Sequence, residues 1–141
     1  MKKINKKNIL VINTAAPGEI FVALFDGEKS KKLKKRGHSD EALATVDLML
    51  RKNKIKTEEI IGIVAVSGPG SFTAVRQGVV IANTLGYLFH APVVGVKMNE
   101  FKTEDELSKI GYKKIRAAKR GAIILPFYGG EPHITKPKKW K

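Results

Sequence analysis

The stretch of this sequence with the clearest chemical potential is a glycine-rich turn that leads into a helix, SGPGSFTAVRQG, Ser67 to Gly78. A turn of this kind between a buried strand and a helix often binds phosphate, because free backbone N–H groups and the helix dipole converge there. A small nucleotide-binding, kinase-like or ATPase domain is therefore one hypothesis. The candidate phosphate-contacting residues are Thr14, Ser67, Gly68, Gly70, Ser71 and Thr73.

The standard phosphate motifs do not match this loop. No lysine follows it as in a P-loop, Thr73 stands at the third glycine of the dinucleotide pattern, and Lys97 stands where an acid would hold a ribose. The alternative interpretation is structural: Gly68 and Gly70 form a tight turn, and Ser71 caps the helix. Both interpretations stay open at this point.

Other catalytic chemistry finds little support in the composition. The chain has no cysteine, which excludes disulfides, thiolate metal sites and cysteine nucleophiles and favours a cytoplasmic protein. Its three histidines, His38, His90 and His133, are scattered without metal-ligand spacing, so no metal site is expected. No carboxylates form an obvious acid/base pair. We predict no catalytic residue.

The charge distribution points to a binding partner. A formal charge of +14 favours polyanions, so a stand-alone RNA-binding module is another hypothesis, although solvated edges explain most of the lysine runs. Between Ile61 and Val96 the only charged residue is Arg76. A run this free of charge is normally covered by core or by another subunit. We expect Arg76 to pair with a buried carboxylate, which could belong to a partner.

The elements that must position these residues follow from hydrophobic patterning and turn signals. The first hundred residues predict the order β-β-β-α-β-α-β, in which a lysine-rich third strand forms an edge and the last two strands are parallel. The predicted strands are 8–13, 20–25, a third within 29–36, 60–67 and 93–96, and the predicted helices are 40–53, with Ser39 as N-cap, and 72–90.

The two ends of the chain are expected to be simple. The basic and then apolar N-terminus is predicted to be the first strand and no signal peptide, and no apolar run is long enough to span a membrane. After residue 97 the sequence predicts a helix over about 103–119, a strand within 121–130 and a disordered basic tail. The predicted organisation is a domain over 1–97 with an appendage over 98–141.

The second predicted helix carries a ridge of small residues, Ala74, Gly78, Ala82 and Gly86, at successive i+4 positions. Each glycine inside a helix costs about 1 kcal/mol relative to alanine, so a close approach of another backbone must offset it. That backbone is either the chain's own sheet or a second subunit, and the sequence leaves this choice open. A homodimer of the isolated chain also stays open.

Four segments in order resemble a known family: ILVINTAAP from Ile9, RGHS from Arg36, SGPGSFTAVRQGVVIANTLGY from Ser67 and APVVGV from Ala91. Over residues 8–97 they look like the bacterial dimerisation subunits of tRNA threonylcarbamoyladenosine synthesis, the TsaB or YeaZ family. The resemblance implies an actin-like ATPase, RNase H-like α/β fold with a mixed five-stranded sheet flanked by helices.

The same resemblance implies a non-catalytic scaffold that binds the catalytic subunit TsaD as a heterodimer, with TsaE joining the complex and tRNA contacted indirectly. ATP and magnesium are expected in the complex, and no cofactor on this chain alone. The family's contact uses the two helices of this domain. Carried over, the implied interface consists of His38, Leu43, Val46, Leu50, Ser71, Phe72, Ala74, Val75, Arg76, Gly78, Val79, Ala82 and Gly86.

Two departures from the family are visible. Asn13 stands where the family usually has an aspartate, and a neutral amide is a poor substitute for a carboxylate in organising a hydrated metal ion. Only 44 residues follow Lys97, so the second lobe of the family is expected to be largely missing. The sequence therefore predicts a shortened member without independent nucleotide hydrolysis.

Overall fold

The computed structural model describes residues 7–126, which form one sheet and three helices. The element order matches the sequence prediction through the fifth strand, and a third helix follows. The strands are β1 (Asn8–Asn13), β2 (Glu19–Phe25), β3 (Ser30–Arg36), β4 (Ile60–Gly68) and β5 (Val93–Lys97), and the helices are α1 (Ala42–Lys52), α2 (Phe72–Phe89) and α3 (Glu104–Ala117).

The five strands form a mixed sheet in the order β3-β2-β1-β4-β5. β1 and β3 each pair with β2 in antiparallel fashion, whereas β4 pairs with both β1 and β5 in parallel. The predicted lysine-rich edge strand and the predicted parallel β4–β5 pair are thereby confirmed. None of the helices in the described part of the chain is long and apolar enough to cross a membrane.

Alternation along the strands divides the core into two layers, because successive side chains of a strand point to opposite faces. Leu10 and Ile12 of β1 lie in one cluster with Val46 and Met49 of α1. The intervening residues of β1 lie in a second cluster with Leu107 and Ile115 of α3. Helices therefore cover both faces of the sheet, and the described part of the predicted appendage packs on the predicted domain. The boundary after residue 97 stays a prediction.

α3 packs on β4 through two glycines, one in the helix and one in the strand, and each faces a branched side chain of the other element. A Cβ atom at Gly111 of α3 would lie 2.7 Å from both γ carbons of Val64 in β4. A Cβ atom at Gly62 of β4 would overlap the side chain of Ile115 in α3. Each element thus offers a gap to a branched side chain of the other, and the edge-on contact of Phe25 with Tyr112, 5.6 Å between ring centroids, continues this layer.

Ser39 is not the N-cap that the sequence predicted. Residues 39–41 form a single 3-10 turn and α1 begins at Ala42, while the Ser39 hydroxyl donates a short hydrogen bond to Oε1 of Gln77 in α2. The backbone N–H of His38 instead donates to the Glu41 carboxylate at 2.9 Å. That hydrogen bond and the Lys35 ammonium hold the pKa of Glu41 below its usual value. Ser39 therefore ties the start of α1 to α2.

The third predicted helix is confirmed, with the Thr103 hydroxyl accepting the Glu106 N–H at 3.1 Å as its N-cap. The strand predicted within 121–130 is wrong for residues 121–126, and the rest of it, with the basic tail and His133, lies outside the described residues. The backbone of Ile124 is bonded on both its N–H and C=O to the side-chain amide of Asn83, at 3.0 and 2.9 Å. Because a side chain occupies these groups, no ladder forms there.

The reciprocal packing of α3 and β4 makes Gly111 sensitive to added volume. We expect Gly111→Val to lower the free energy of unfolding by about 1–3 kcal/mol, because Val64 in the neighbouring strand has no room to move away. Lys113→Val is the matched control, since it places the same β-branched residue on the exposed side of the same helix. Urea unfolding of the full chain measures both, and equal losses for the two variants would contradict the packing account.

Candidate functional site

An apolar groove runs along the outer side of α1 and α2, and we call it the α1–α2 groove. It has a volume of about 420 Å³ and is lined by Asp40, Leu43, Phe72, Thr73, Arg76, Gln77, Val80 and Ile81. The large apolar side chains on it are half exposed: Leu43 by 52%, Phe72 by 59% and Val80 by 54%. Contiguous apolar surface of this kind, bordered by polar residues, is typical of a protein interaction site.

Helical periodicity decides which side chains of α2 reach this groove. Val75, Val79 and Ala82 are buried, and their spacing of three and four residues places them on one side of the helix. Arg76 and Val80 lie one turn apart on the exposed side, whereas Phe72 is exposed as the first residue of the helix. Burial of one side of α2 therefore forces the other side outward.

The groove is held in shape by the contact between the start of α1 and α2. The Ser39–Gln77 hydrogen bond joins the 3-10 turn before α1 to the side chain of a groove residue. Behind it, Thr45 donates to the backbone oxygen of Glu41 at 2.9 Å and is 2% exposed. The two helices thus present a preformed surface.

Arg76 lies in the groove as its only cation. The side chain is exposed, and within residues 7–126 it forms no ion pair. The sequence predicted a carboxylate partner for Arg76, and none is found in the described part of the chain. Asp40 lines the same groove but is not an ion-pair partner of Arg76. A partner's carboxylate therefore remains the prediction for this guanidinium.

The predicted phosphate loop is only partly gathered in one place. Thr14, Ser71 and Thr73 line a cleft of about 350 Å³ together with His38 and Glu19. The hydroxyl of Thr14 is already used, because it donates to the backbone oxygen of Ala74 at 2.6 Å. The carboxylate of Glu19 would oppose an anion in this cleft.

The other loop residues serve the turn itself. Ser67 is 6% exposed at the end of β4, and a Cβ at the neighbouring Gly95 would lie 3.2 Å from its side chain. Gly68 adopts a φ of +119°, a conformation that favours glycine, and Gly70 packs closely on the backbone of Ala15. Ser71 occupies the N-cap position of α2, but its side chain makes no capping hydrogen bond. The capping part of the structural interpretation is therefore wrong, and its tight turn is present.

Asn13, which stands where the resembled family usually has an aspartate, is used within the fold. The side-chain oxygen of Asn13 accepts the backbone N–H of Ala15 at 2.9 Å, and Asn13 is 8% exposed. Across residues 7–126, no group of three or more histidine, aspartate or glutamate side chains could hold a metal ion. Asn13 and Thr14 are instead committed to hydrogen bonds of the fold.

The structure divides the predicted interface between surface and core. Five of its members are exposed near α1 and α2, namely His38, Leu43, Ser71, Phe72 and Arg76, and Ala74 is half-buried. The structure moves the remaining seven into the chain's own core: Val46, Leu50, Val75, Gly78, Val79, Ala82 and Gly86. The sequence prediction did not include Asp40, Thr73, Gln77, Val80 and Ile81 in the interface, although Val80 follows Phe72 by two turns.

The small-residue ridge explains this division. A Cβ at Gly78 would overlap the Thr14 hydroxyl, and a Cβ at Gly86 would overlap Val93 of β5. The close approach that the glycines allow is thus to the chain's own sheet. This result settles the alternative that the sequence left open for these two positions.

Comparison with known proteins agrees with this architecture. Residues 31–106, slightly more than half of the chain, match the family model described as TsaD: tRNA N6-adenosine threonylcarbamoyltransferase. Among curated proteins, the chain is 35% identical over 66 residues to the tRNA threonylcarbamoyladenosine biosynthesis protein TsaB of Bacillus subtilis, covering 47% of this chain and 29% of that protein. It is 29% identical over 90 residues to TsaB of Haemophilus influenzae, covering 62% and 38%.

Solved structures show the same fold. YeaZ from Pseudomonas aeruginosa superposes with a TM-score of 0.60 at 22% identity, covering 64% of this chain and 44% of that one. A second structure, titled an uncharacterized protein with similarity to peptidase YeaZ from Pseudomonas aeruginosa, gives 0.59 at 23% identity and covers 64% and 43%. The fold is the actin-like ATPase type, and the chain spans about 30–40% of the length of the two TsaB relatives.

Gly78 is buried against Thr14, so a substitution there tests the fold and not the interface. We expect Gly78→Leu to lower the free energy of unfolding of the isolated chain by about 1–3 kcal/mol or more, because the added side chain collides with Thr14. Arg76→Ala, two residues away and exposed, should change it by less than about 0.5 kcal/mol. Chemical unfolding followed by circular dichroism compares them. Undiminished stability of Gly78→Leu would show that α2 does not approach β1 in this way.

Proposed function

This chain belongs to the family described as TsaD: tRNA N6-adenosine threonylcarbamoyltransferase, and the curated proteins it resembles are TsaB proteins. On that premise we propose that it is a non-catalytic docking subunit in tRNA threonylcarbamoyladenosine biosynthesis. Its α1–α2 groove binds the TsaD subunit as a heterodimer. The single observation that carries the proposal is the half exposure of Leu43, Phe72 and Val80 around one groove.

The chemistry of the groove defines what it binds. Leu43, Phe72 and Val80 offer apolar contact area to a facing helix, and aromatic and arginine side chains are common anchors of interfaces. Arg76 lies among them and requires a carboxylate, because burial of an unpaired guanidinium is costly. The partner surface is therefore an apolar helix face with an aspartate or glutamate positioned to contact Arg76.

The non-catalytic assignment has its own support. Asn13 and Thr14 lie where the related ATPases handle nucleotide and metal, and both side chains are engaged in hydrogen bonds of the fold. The cleft beside them contains Glu19, which disfavours phosphate. ATP and magnesium are then bound by the other subunits of the complex, TsaD and TsaE, and this chain contributes surface.

Val80→Glu tests the groove directly. Glutamate at this exposed position should leave the fold intact, but in the complex it adds a charge to an apolar contact and, one turn after Arg76, competes with the partner's carboxylate for that guanidinium, which weakens binding to purified TsaD roughly hundredfold, or about 3 kcal/mol. Ile123→Glu is the matched control, because Ile123 is another exposed aliphatic residue, 70% exposed, outside the groove. Titration calorimetry measures both variants.

Two results would sink the groove assignment: wild-type affinity of Val80→Glu, or equal weakening by Ile123→Glu. Solution mass of the chain alone, at several concentrations, identifies self-association through the same surface. A homodimer that Val80→Glu dissociates, together with no binding of TsaD by the wild type, replaces the heterodimer with a second copy of this chain.

The isolated chain is expected to bind no ATP. Titration of the full chain with ATP and magnesium should give no heat of binding above dilution, because Thr14 and Asn13 beside the loop are already bonded within the fold and Glu19 lines the cleft. Measurable binding that Thr14→Val abolishes would contradict the docking-subunit proposal and favour a nucleotide-binding domain. The TsaD–TsaE mixture with the same ATP serves as the positive control.

A further inference from the structure

The second half of α3 and the turn after it contain basic residues but no acidic residue. From Leu107 to Pro126 there are six basic residues and no acidic one. Lys114 is neutralised, since its ammonium lies 2.8 Å from the Glu100 carboxylate and also bonds the Gly95 backbone oxygen at 3.2 Å. The other five define what we call the α3 basic face: Lys109, Lys113, Arg116, Lys119 and Arg120.

The lysines of the edge strand behave differently. Lys32 pairs with Asp105 at 2.7 Å, and Lys34 pairs with Glu104 at 3.2 Å. A side-chain hydrogen bond from Lys32 lowers the pKa of Asp105, and Lys109 contributes a small part of that shift. The acids in the first turn of α3 thus neutralise two lysines of β3. Of the α3 basic face, they interact only with Lys109, its first member. Within residues 7–126, none of its five side chains forms an ion pair.

Helix geometry places these cations on the side away from the sheet. Leu107, Gly111 and Ile115 are buried, and Lys109, Lys113 and Arg116 occupy the opposite side. One turn separates Lys109 from Lys113, or about 6 Å at a rise of 1.5 Å per residue. The result is a row of exposed cations along the helix axis.

Within residues 7–126, the acids near Arg116 form no ion pair with it. Arg116 shares a cleft with Lys7, Asp26 and Glu28. The Asp26 carboxylate accepts the backbone N–H groups of Lys29 and Glu28, at 2.7 and 2.9 Å, which lower its pKa. It therefore caps its own turn.

The surroundings of this row select among polyanions. An amphipathic helix that binds a membrane needs a free apolar side, and the apolar side of α3 is buried on the sheet. Protein interfaces are depleted in lysine and depend on aromatic or aliphatic anchors, which the outer side of α3 lacks. Exposed lysine and arginine without stacking side chains suit a phosphate backbone, where contacts position the nucleic acid without reading bases.

We propose that the α3 basic face binds the phosphate backbone of the RNA substrate. The choice of RNA over DNA rests on the proposed function. The evidence that this face binds a phosphate backbone comes from the charge and geometry of α3 and is independent of that function. This surface lies across the sheet from α1, so an RNA on α3 and a protein in the α1–α2 groove do not compete for one face. In this arrangement the chain contacts the tRNA directly, not only through its partner.

The test measures binding of an unmodified tRNA transcript to the full chain by fluorescence anisotropy across a salt series. Lys113→Gln with Arg116→Gln should weaken binding about tenfold near 0.1 M salt and reduce the slope of log affinity against log salt by about 2, since each phosphate contact contributes close to 1. The matched control is Lys52→Gln with Lys56→Gln, which removes the same net charge from exposed positions, one at the end of α1 and one after it.

The outcomes separate cleanly. Loss with the α3 pair and not with the control pair supports the proposal; equal loss with both pairs, or no tRNA binding by the wild type at low salt, overturns it. Tighter binding of a duplex DNA of similar length, or binding of anionic phospholipid vesicles without tRNA, overturns the RNA assignment. The α3 pair should bind TsaD like the wild type, whereas Val80→Glu should bind tRNA like the wild type, so failure of one proposal leaves the other readable.

Discussion

The close approach of α2 to the sheet is the contact on which most of the functional surface depends. Gly78 and Gly86 remove the Cβ atoms that would otherwise hold the helix away, and the Thr14 hydroxyl then reaches the backbone oxygen of Ala74. This contact fixes the rotation of α2 about its axis. Once that rotation is fixed, Arg76 and Val80 point away from the core, and with Phe72 in the first turn of the helix they line the α1–α2 groove.

The same contact explains why the glycine loop looks like a phosphate site without offering one. Two polar side chains at the end of β1, next to the loop, are used within the fold: the Thr14 hydroxyl donates to the Ala74 backbone oxygen, and the Asn13 side-chain oxygen accepts the Ala15 N–H. A phosphate-binding loop keeps donors such as the Thr14 hydroxyl free. Here they stabilise the joint between strand and helix, and the surface left for recognition is apolar.

The charged residues fall into two groups: some form ion pairs within the chain, and others remain unpaired at the surface. The acidic first turn of α3 pairs with Lys32 and Lys34 of the edge strand, which compensates an edge whose lysines discourage sheet extension. The last turns of α3 have no such acids nearby in sequence. Within residues 7–126, the five cations of the α3 basic face are therefore left without ion pairs, and positive charge remains at the surface there.

The element order, the parallel β4–β5 pair, the edge strand and the family were predictable before folding was considered, because periodicity, turn residues and motif order are local properties. The folded structure was needed to show which side of α2 is free, that Ser39 bonds Gln77, and that residues 121–126 form no strand. These outcomes depend on contacts between distant positions, such as Thr14 with Ala74 and Asn83 with Ile124, 60 and 41 residues apart. A ridge of small residues in the sequence predicts close packing, but the surface that it packs on is known only once the chain has folded.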